Sequence, residues 1–147
     1  MFYIYCKNNN QEGYSGTPFA KKLGIKSRFK IVLVNQPKQY KSLFVDFPED
    51  VLEVSEPKSE SVDFIHIFCT ALKDLKIQIV KQKPYLNKDG LIWVRWSKET
   101  SKMATDLNRD LIRDYILSEI KLVDVKVAAI DTDWSGLKFV CRKEDRN

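Results

Sequence analysis

Four consecutive aliphatic residues, Ile31, Val32, Leu33 and Val34, run from Lys30 into a polar turn made of Asn35, Gln36, Pro37 and Lys38. A continuous apolar run that stops abruptly at polar residues and a proline is how a parallel strand, covered on both faces, enters a βα turn. The segment from Val62 to Cys69 is a second run of this kind, again nearly unbroken. Strands with two apolar faces need a layer on each side, which constrains the chain to a three-layer α/β arrangement. The polar turns that follow such strands gather along one rim of the sheet, where ligands sit in open parallel folds.

The rest of the chain supplies the partners of these strands. Residues 1–12 read as an appendage in which Phe2 to Cys6 add an edge strand and residues 8–12 form a linker; residues 13–147 make one α/β domain. Thr17 and Pro18 suit the N-cap and first position of a short helix with Phe19, Ala20 and Leu23 on its apolar face, closed by Gly24 in the left-handed conformation. Pro37 opens a helix through Phe44, and strands follow at 51–55 and 62–69. Thr70 caps a helix carrying Leu72, Leu75 and Ile79, which Pro84 ends; Asn87, Lys88, Asp89 and Gly90 form a turn, and 91–96 is the fourth strand. After a polar loop at 97–104, Thr105 caps a helix with Leu107, Leu111, Ile112 and Tyr115 on its buried side. Residues 122–130 and 137–142 are the last strands; the short turn from Asp131 to Gly136 cannot make a parallel crossover, so this pair is antiparallel. Six strands result, with residues 31–34 expected near the middle, and the charged tail from Lys143 frays.

With 147 residues, 44% of them hydrophobic, the chain can bury about two-thirds of its surface without a disulfide or metal staple. No stretch reaches the ~20 apolar residues of a membrane span, and Phe2 to Tyr5 are too few for a signal-peptide core. Cys6, Cys69 and Cys141 are odd in number and lack zinc-ligand spacing, which reads as a reduced, cytoplasmic protein. The net charge of +5 is uneven: residues 1–44 carry eight Lys/Arg against one Glu, and residues 45–65 carry seven Asp/Glu against one Lys. No arginine-rich run or RNA-binding aromatic motif accompanies the basic third, so it reads as a solvated surface rather than a nucleic-acid site.

The strand–helix order, the turn at 87–90 and the terminal hairpin resemble the Rossmann-like methyltransferase fold over roughly residues 17–142. The resemblance implies a mostly parallel sheet with a C-terminal antiparallel hairpin, and S-adenosylmethionine as the cofactor of that family. It departs from the family at the first turn, where Asn35, Gln36 and Pro37 replace the glycine-rich loop whose backbone approaches the cofactor. Glu56, after the second strand, stands where the family places a ribose-binding acid. Three motif blocks resemble something narrower: Gly13 to Pro18 with Lys21 to Ile25, Trp93 to Lys98 with Thr105 to Leu107 and Ile112 and Arg113, and Leu122 to Val127 with Trp134 to Lys138. Together they are similar to a small bacterial family known as domain-of-unknown-function family 3052. That likeness brings no activity, cofactor or residue role with it.

The candidate site follows from the strand ends: Asn35, Gln36, Glu56, Thr70, Ser97, Lys98, Asp131, Trp134 and Ser135, with Thr105 and Arg109 at a helix N-terminus that favours an anion. Trp134 is expected at a hairpin tip, covering the pocket or folded onto the core. His66, the lone histidine, lies mid-strand and reads as a buried, hydrogen-bonded side chain rather than a base. Cys69 is the best-placed thiol but has no histidine near it in sequence. Three functions fit this pattern. The first is a non-catalytic binding or regulatory module with an anionic small molecule at the rim. The second is an S-adenosylmethionine-dependent methyltransferase with an atypical loop. The third is a subunit, homo-oligomeric or docked on another protein. A metal site and a membrane role do not fit.

Overall fold

A computed structural model of the chain describes residues 19–38, 40, 44–97, 108–125 and 134–145. The N-terminal appendage, Thr17, Pro18, Lys98, Thr105, Leu107, Asp131 and residues 126–130 lie outside the described residues.

The chain opens with helix α1 (Phe19–Leu23), followed by strands β1 (Lys30–Val34), β2 (Leu52–Glu53) and β3 (Val62–Cys69). Helix α2 (Leu72–Gln82), strand β4 (Leu86–Ser97), helix α3 (Arg109–Tyr115) and strands β5 (Leu122–Val125) and β6 (Trp134–Cys141) complete it. Among the described residues the strands form one sheet in the order β2-β1-β3-β4-β6-β5. The first four are parallel, and β6 runs antiparallel to both β4 and β5. The long apolar strands β3 and β4 take the centre. β1 lies one place from the edge, flanked by β3 and by β2, which is only two residues long, so residues 31–34 are less central than their sequence suggests.

Each face of the sheet has its own core. On one, Ile65, Ile67, Ile92 and Val94 pack against Leu75 and Ile79 of α2 and Ile112 and Ile116 of α3. On the other, Ile31, Phe64, Phe68 and Trp93 pack against Ala20 and Leu23 of α1 and against Tyr40 and Phe44. Burying such side chains contributes about 1.5–3 kcal/mol each, which the alternation along β3 and β4 delivers to both layers at once.

Several local expectations change for identifiable reasons. The N–H groups of Ala20 and Lys21 in α1 donate to the Asp46 carboxylate at 2.9 and 3.1 Å, from 26 and 25 residues away. Gly24, at φ +94°, closes that helix as its sequence position predicts. Of the helix expected from Pro37 to Phe44, residues 39 and 41–43 lie outside the described residues; Tyr40 N–H donates to the Pro37 carbonyl at 3.0 Å. Thr70 does not cap α2: Ala71 holds the cap position without a side-chain bond, and Thr70 is exposed one residue earlier. Pro84 tightens the end of α2 into a 3-10 turn, Lys83–Tyr85.

The turn expected at 87–90 is absorbed into β4. Val62 pairs with Leu86 but Phe64 with Leu91, so the intervening residues bulge while the strand continues. Asn87 accepts from Asp89 N–H at 3.0 Å, which is turn chemistry inside a strand. At Gly90 a Cβ would sit 2.9 Å from the Asp63 carbonyl oxygen, which explains the glycine. α3 is capped by Asn108, whose side chain accepts from Leu111 N–H at 2.9 Å; the expected cap Thr105 lies outside the described residues. Its buried line is Ile112, Ile116 and Ile120, while Leu111 is exposed, and a π-turn, Ile116–Ile120, carries the helix on to Lys121. Lys143–Asp145 form a 3-10 turn held by Arg142 Nε to Asp145 at 2.9 Å instead of fraying.

Candidate functional site at the carboxyl rim of the sheet

The parallel strands bring their carboxyl ends to one rim, and the antiparallel β6 begins there. Asn35, Gln36 and Thr70 follow strands at that rim, Ser97 ends one and Trp134 and Ser135 begin one, while Glu56 lies three residues past β2 and Arg109 opens α3. Ser97 is the backbone partner of Trp134, and Trp96 of Ser135. Trp134 and Ser135 are thus the first residues of a paired strand and not a hairpin tip. Asn35 sits in the left-handed region, at φ +56°, and its side-chain amide donates to the Phe68 carbonyl at 3.5 Å, linking the ends of β1 and β3. Arg109 is the exposed first residue of α3. β2 ends at Glu53, three residues before Glu56, so the acid at the strand terminus is Glu53.

Beneath the rim, on the α1 side of the sheet, lies a polar group that the sequence alone does not single out as a unit. Phe64, His66 and Phe68 alternate along β3, and His66 pairs with Trp93 while Phe68 pairs with Arg95. His66 is 1% exposed, and its Nδ1 is 2.9 Å from the Tyr40 hydroxyl. Its Nε2 has no hydrogen-bond partner among the described residues. The His66 and Phe68 rings stack at 4.4 Å, and the Arg95 guanidinium lies 5.8 Å from the Phe68 ring centre. Arg95 is 2% exposed and threads past Gly136, where a Cβ would approach its Cδ to 2.7 Å. Trp93 donates its indole N–H to the Leu23 carbonyl at 2.7 Å, pinning α1 to the same face.

The electrostatics follow from this enclosure. Burial holds the His66 imidazole well below its ordinary value, and the Arg95 charge pushes the same way. Burial drives the Tyr40 hydroxyl well above the usual phenol range, with Arg95 pulling it back and Glu53 pushing it up. His66 is therefore a neutral, enclosed side chain, as its mid-strand position predicts, and is not placed to take a proton from a bound substrate. Cys69 is likewise buried, with its thiol donating to the Arg95 carbonyl at 3.4 Å. Among the described residues no group of three or more His, Cys, Asp or Glu is placed to hold a metal ion. No helix among them is long and apolar enough to cross a membrane.

Arg95, Tyr40 and Glu53 were absent from the sequence-derived candidates. The signal for Arg95 was present: a cation between Val94 and Trp96 in a strand otherwise apolar from Leu91 to Trp96. For Tyr40 there was none, because it meets His66 from a separate segment 26 residues away in the chain.

This geometry has counterparts among solved proteins. A SAM-dependent methyltransferase from Aquifex aeolicus matches with a TM-score of 0.58 at 12% identity, over 81% of this chain and 85% of that chain. A chain assigned to the type 11 methyltransferases, from Sulfolobus solfataricus, matches with a TM-score of 0.48 at 14% identity, over 78% and 85% of the two chains. No family model matches the sequence, and no curated protein matches it. The chain has a methyltransferase-like, Rossmann-like α/β fold.

The fold family implies S-adenosylmethionine, and the first turn tests that implication. A cofactor cradle there needs glycines and free backbone N–H groups. This turn has a left-handed Asn35, whose side chain is committed to the Phe68 carbonyl, and then Pro37, which has no N–H. The turn therefore lacks the glycine cradle of that fold family.

Proposed function

We propose that the protein is a non-catalytic binding or regulatory module on a methyltransferase-like scaffold, with an anionic small molecule held at the carboxyl rim of the sheet. The observation that carries this reading is the first turn: Asn35 at φ +56° bonded to Phe68, followed by a proline, in place of a cofactor loop. The anion preference rests on positive charge at the rim, with Arg109 at the start of α3 and Arg95 enclosed below Asn35 and Phe68. The reading includes a cytoplasmic location, supported by a cysteine content without disulfide or zinc spacing. It also includes membership of the uncharacterised bacterial family that the three motif blocks resemble.

The competing reading is a methyltransferase that holds S-adenosylmethionine by unusual contacts, and Glu53 at the end of β2 favours it as a ribose-binding acid. Isothermal titration decides between them. The module reading expects no heat with S-adenosylmethionine or S-adenosylhomocysteine, and binding of inorganic phosphate or a nucleoside monophosphate that weakens in Arg109→Ala. Micromolar S-adenosylmethionine binding that Asn35→Ala and Glu53→Gln abolish overturns it.

A further inference from the structure

Lys138 places an amine among apolar side chains on the α1 side of the sheet. On β6 it pairs with Trp93 of β4 on one flank and with Val125 of β5 on the other, and directly opposed residues share a face. Trp93 belongs to the α1-side core, so Lys138 lies on that face. One row further from the rim, Val140 pairs with Leu91 and Val123, and all three are half-buried, as are Lys138 and Val125.

The Lys138 side chain reaches the turn that closes α1. A Cβ on Gly24 would lie 3.7 Å from Lys138 Nζ and 3.1 Å from Leu91 Cδ2. Lys26 stands two residues along from Gly24 and is exposed. Among the described residues neither lysine side chain has a hydrogen-bond or ion-pair partner. The acid bound to this turn, Asp50, is already engaged, accepting from Ser27 Oγ at 2.6 Å and from Arg28 N–H at 3.2 Å. Burial, and then the Lys26 charge, hold the Lys138 amine below its ordinary value. Desolvation and a neighbouring cation are the two conditions that turn a lysine from a hydrated ammonium into a nucleophile. Here they coincide on a side chain that a small molecule can still reach, beside a second cation able to hold an anionic group.

We propose that Lys138 captures small anionic aldehydes covalently, its amine bonding the carbonyl carbon while Lys26 holds the carboxylate or phosphate. The nitrogen lone pair forms the C–N bond, and the C–O π pair moves onto oxygen. A proton passes from nitrogen to that oxygen, giving a carbinolamine. The hydroxyl then leaves as water and the C=N bond forms, so amine plus aldehyde becomes imine plus water without an oxidant or reductant. Capture is reversible and involves no turnover, so it suits a binding module. It lies one row below Arg95 and Gly136 and does not depend on the ligand proposed for the rim.

The test uses para-formylbenzoate and its methyl ester, which share the aldehyde and differ in the charge. The full chain is treated with one equivalent of either, the imine is fixed with borohydride, and each lysine's label is quantified by peptide mass spectrometry. Lys138 is expected to carry the largest share of para-formylbenzoate label. Lys26→Gln is expected to lower that share severalfold, and the methyl ester's share less, because the ester loses only the activation and not the anion contact. Lys138→Arg, its folding checked by circular dichroism, is expected to leave the other lysines labelled as before. Label spread over the surface lysines with Lys138 unexceptional overturns the proposal. So does Lys138 labelling that Lys26→Gln leaves unchanged, or a Lys26→Gln loss equal for the two aldehydes.

Discussion

The two faces of the sheet are made by alternate residues of the same strands, yet they are built on different terms. On the α2–α3 side, Ile65 and Ile67 meet Ile79, Ile92, Val94 and Ile112 in a mainly aliphatic core, which also takes in Trp96 and Phe139 and in which aliphatic side chains of similar volume can substitute for one another. On the α1 side, Phe64, His66 and Phe68 meet Tyr40, Trp93 and Arg95, and contacts there are directional: a hydrogen bond at 2.9 Å, a stacked pair and an indole bond at 2.7 Å. The contrast teaches where specificity is concentrated. The α2–α3 face supplies bulk stability, and the aromatic–polar face fixes the positions of α1 and of Tyr40.

The contrast breaks or sharpens under substitution. Trp93→Ala removes a fully buried ring and leaves the Leu23 carbonyl without its indole donor, so a loss of about 3–5 kcal/mol is expected in chemical denaturation. Gly136→Ala places a methyl 2.7 Å from Arg95 Cδ and 3.3 Å from the Trp93 ring, and is expected to cost about 1–3 kcal/mol. A neutral result for Gly136→Ala would mean that Arg95 moves freely and that this face is no more exacting than the other.

The pH response isolates His66. Its imidazole is held below the ordinary value, so the unfolded chain takes up a proton near 6.5 while the folded one resists until lower pH. The contribution of His66 is therefore complete above that value and declines as pH falls toward the folded value, by up to about 1.4 kcal/mol per pH unit. Denaturation between about pH 6.5 and 5 should show that slope in the wild type and a flatter one in His66→Gln. Equal slopes would remove His66 from the account. On the opposite face Ile67→Val should cost only about 0.5–1.5 kcal/mol, without a pH dependence of its own. A larger loss there would erase the difference between the faces.

The sheet was legible in the sequence because its two longest apolar runs hide both faces: the bounds of β3 agree with the expected residues, and the antiparallel ending follows from the length of its link. Local turn chemistry was legible as well, but its outcome was not. Asn87 and Asp89 do form a side-chain-supported turn, yet β4 runs through it, because pairing with β3 on either side outweighs a local break. The start of α3 is capped by Asn108, a residue type suited to that role, while the expected cap Thr105 lies outside the described residues. At the rim, strand ends could be located from sequence, so Asn35, Ser97 and Trp134 share an edge. The enclosed cluster below it could not, because Tyr40, His66 and Arg95 come from three separate segments and meet through register alone.

The tie between Asp46 and the first turn of α1 bears on the order in which the molecule assembles. Five residues are too few to hold a helical turn unaided in water. The acceptor for the amides of Ala20 and Lys21 arrives only when a stretch some 25 residues downstream has docked. This helix is accordingly a product of the finished architecture and not a seed for it. Amide exchange at Ala20 and Lys21 should report on whether the crossover into β2 is in place.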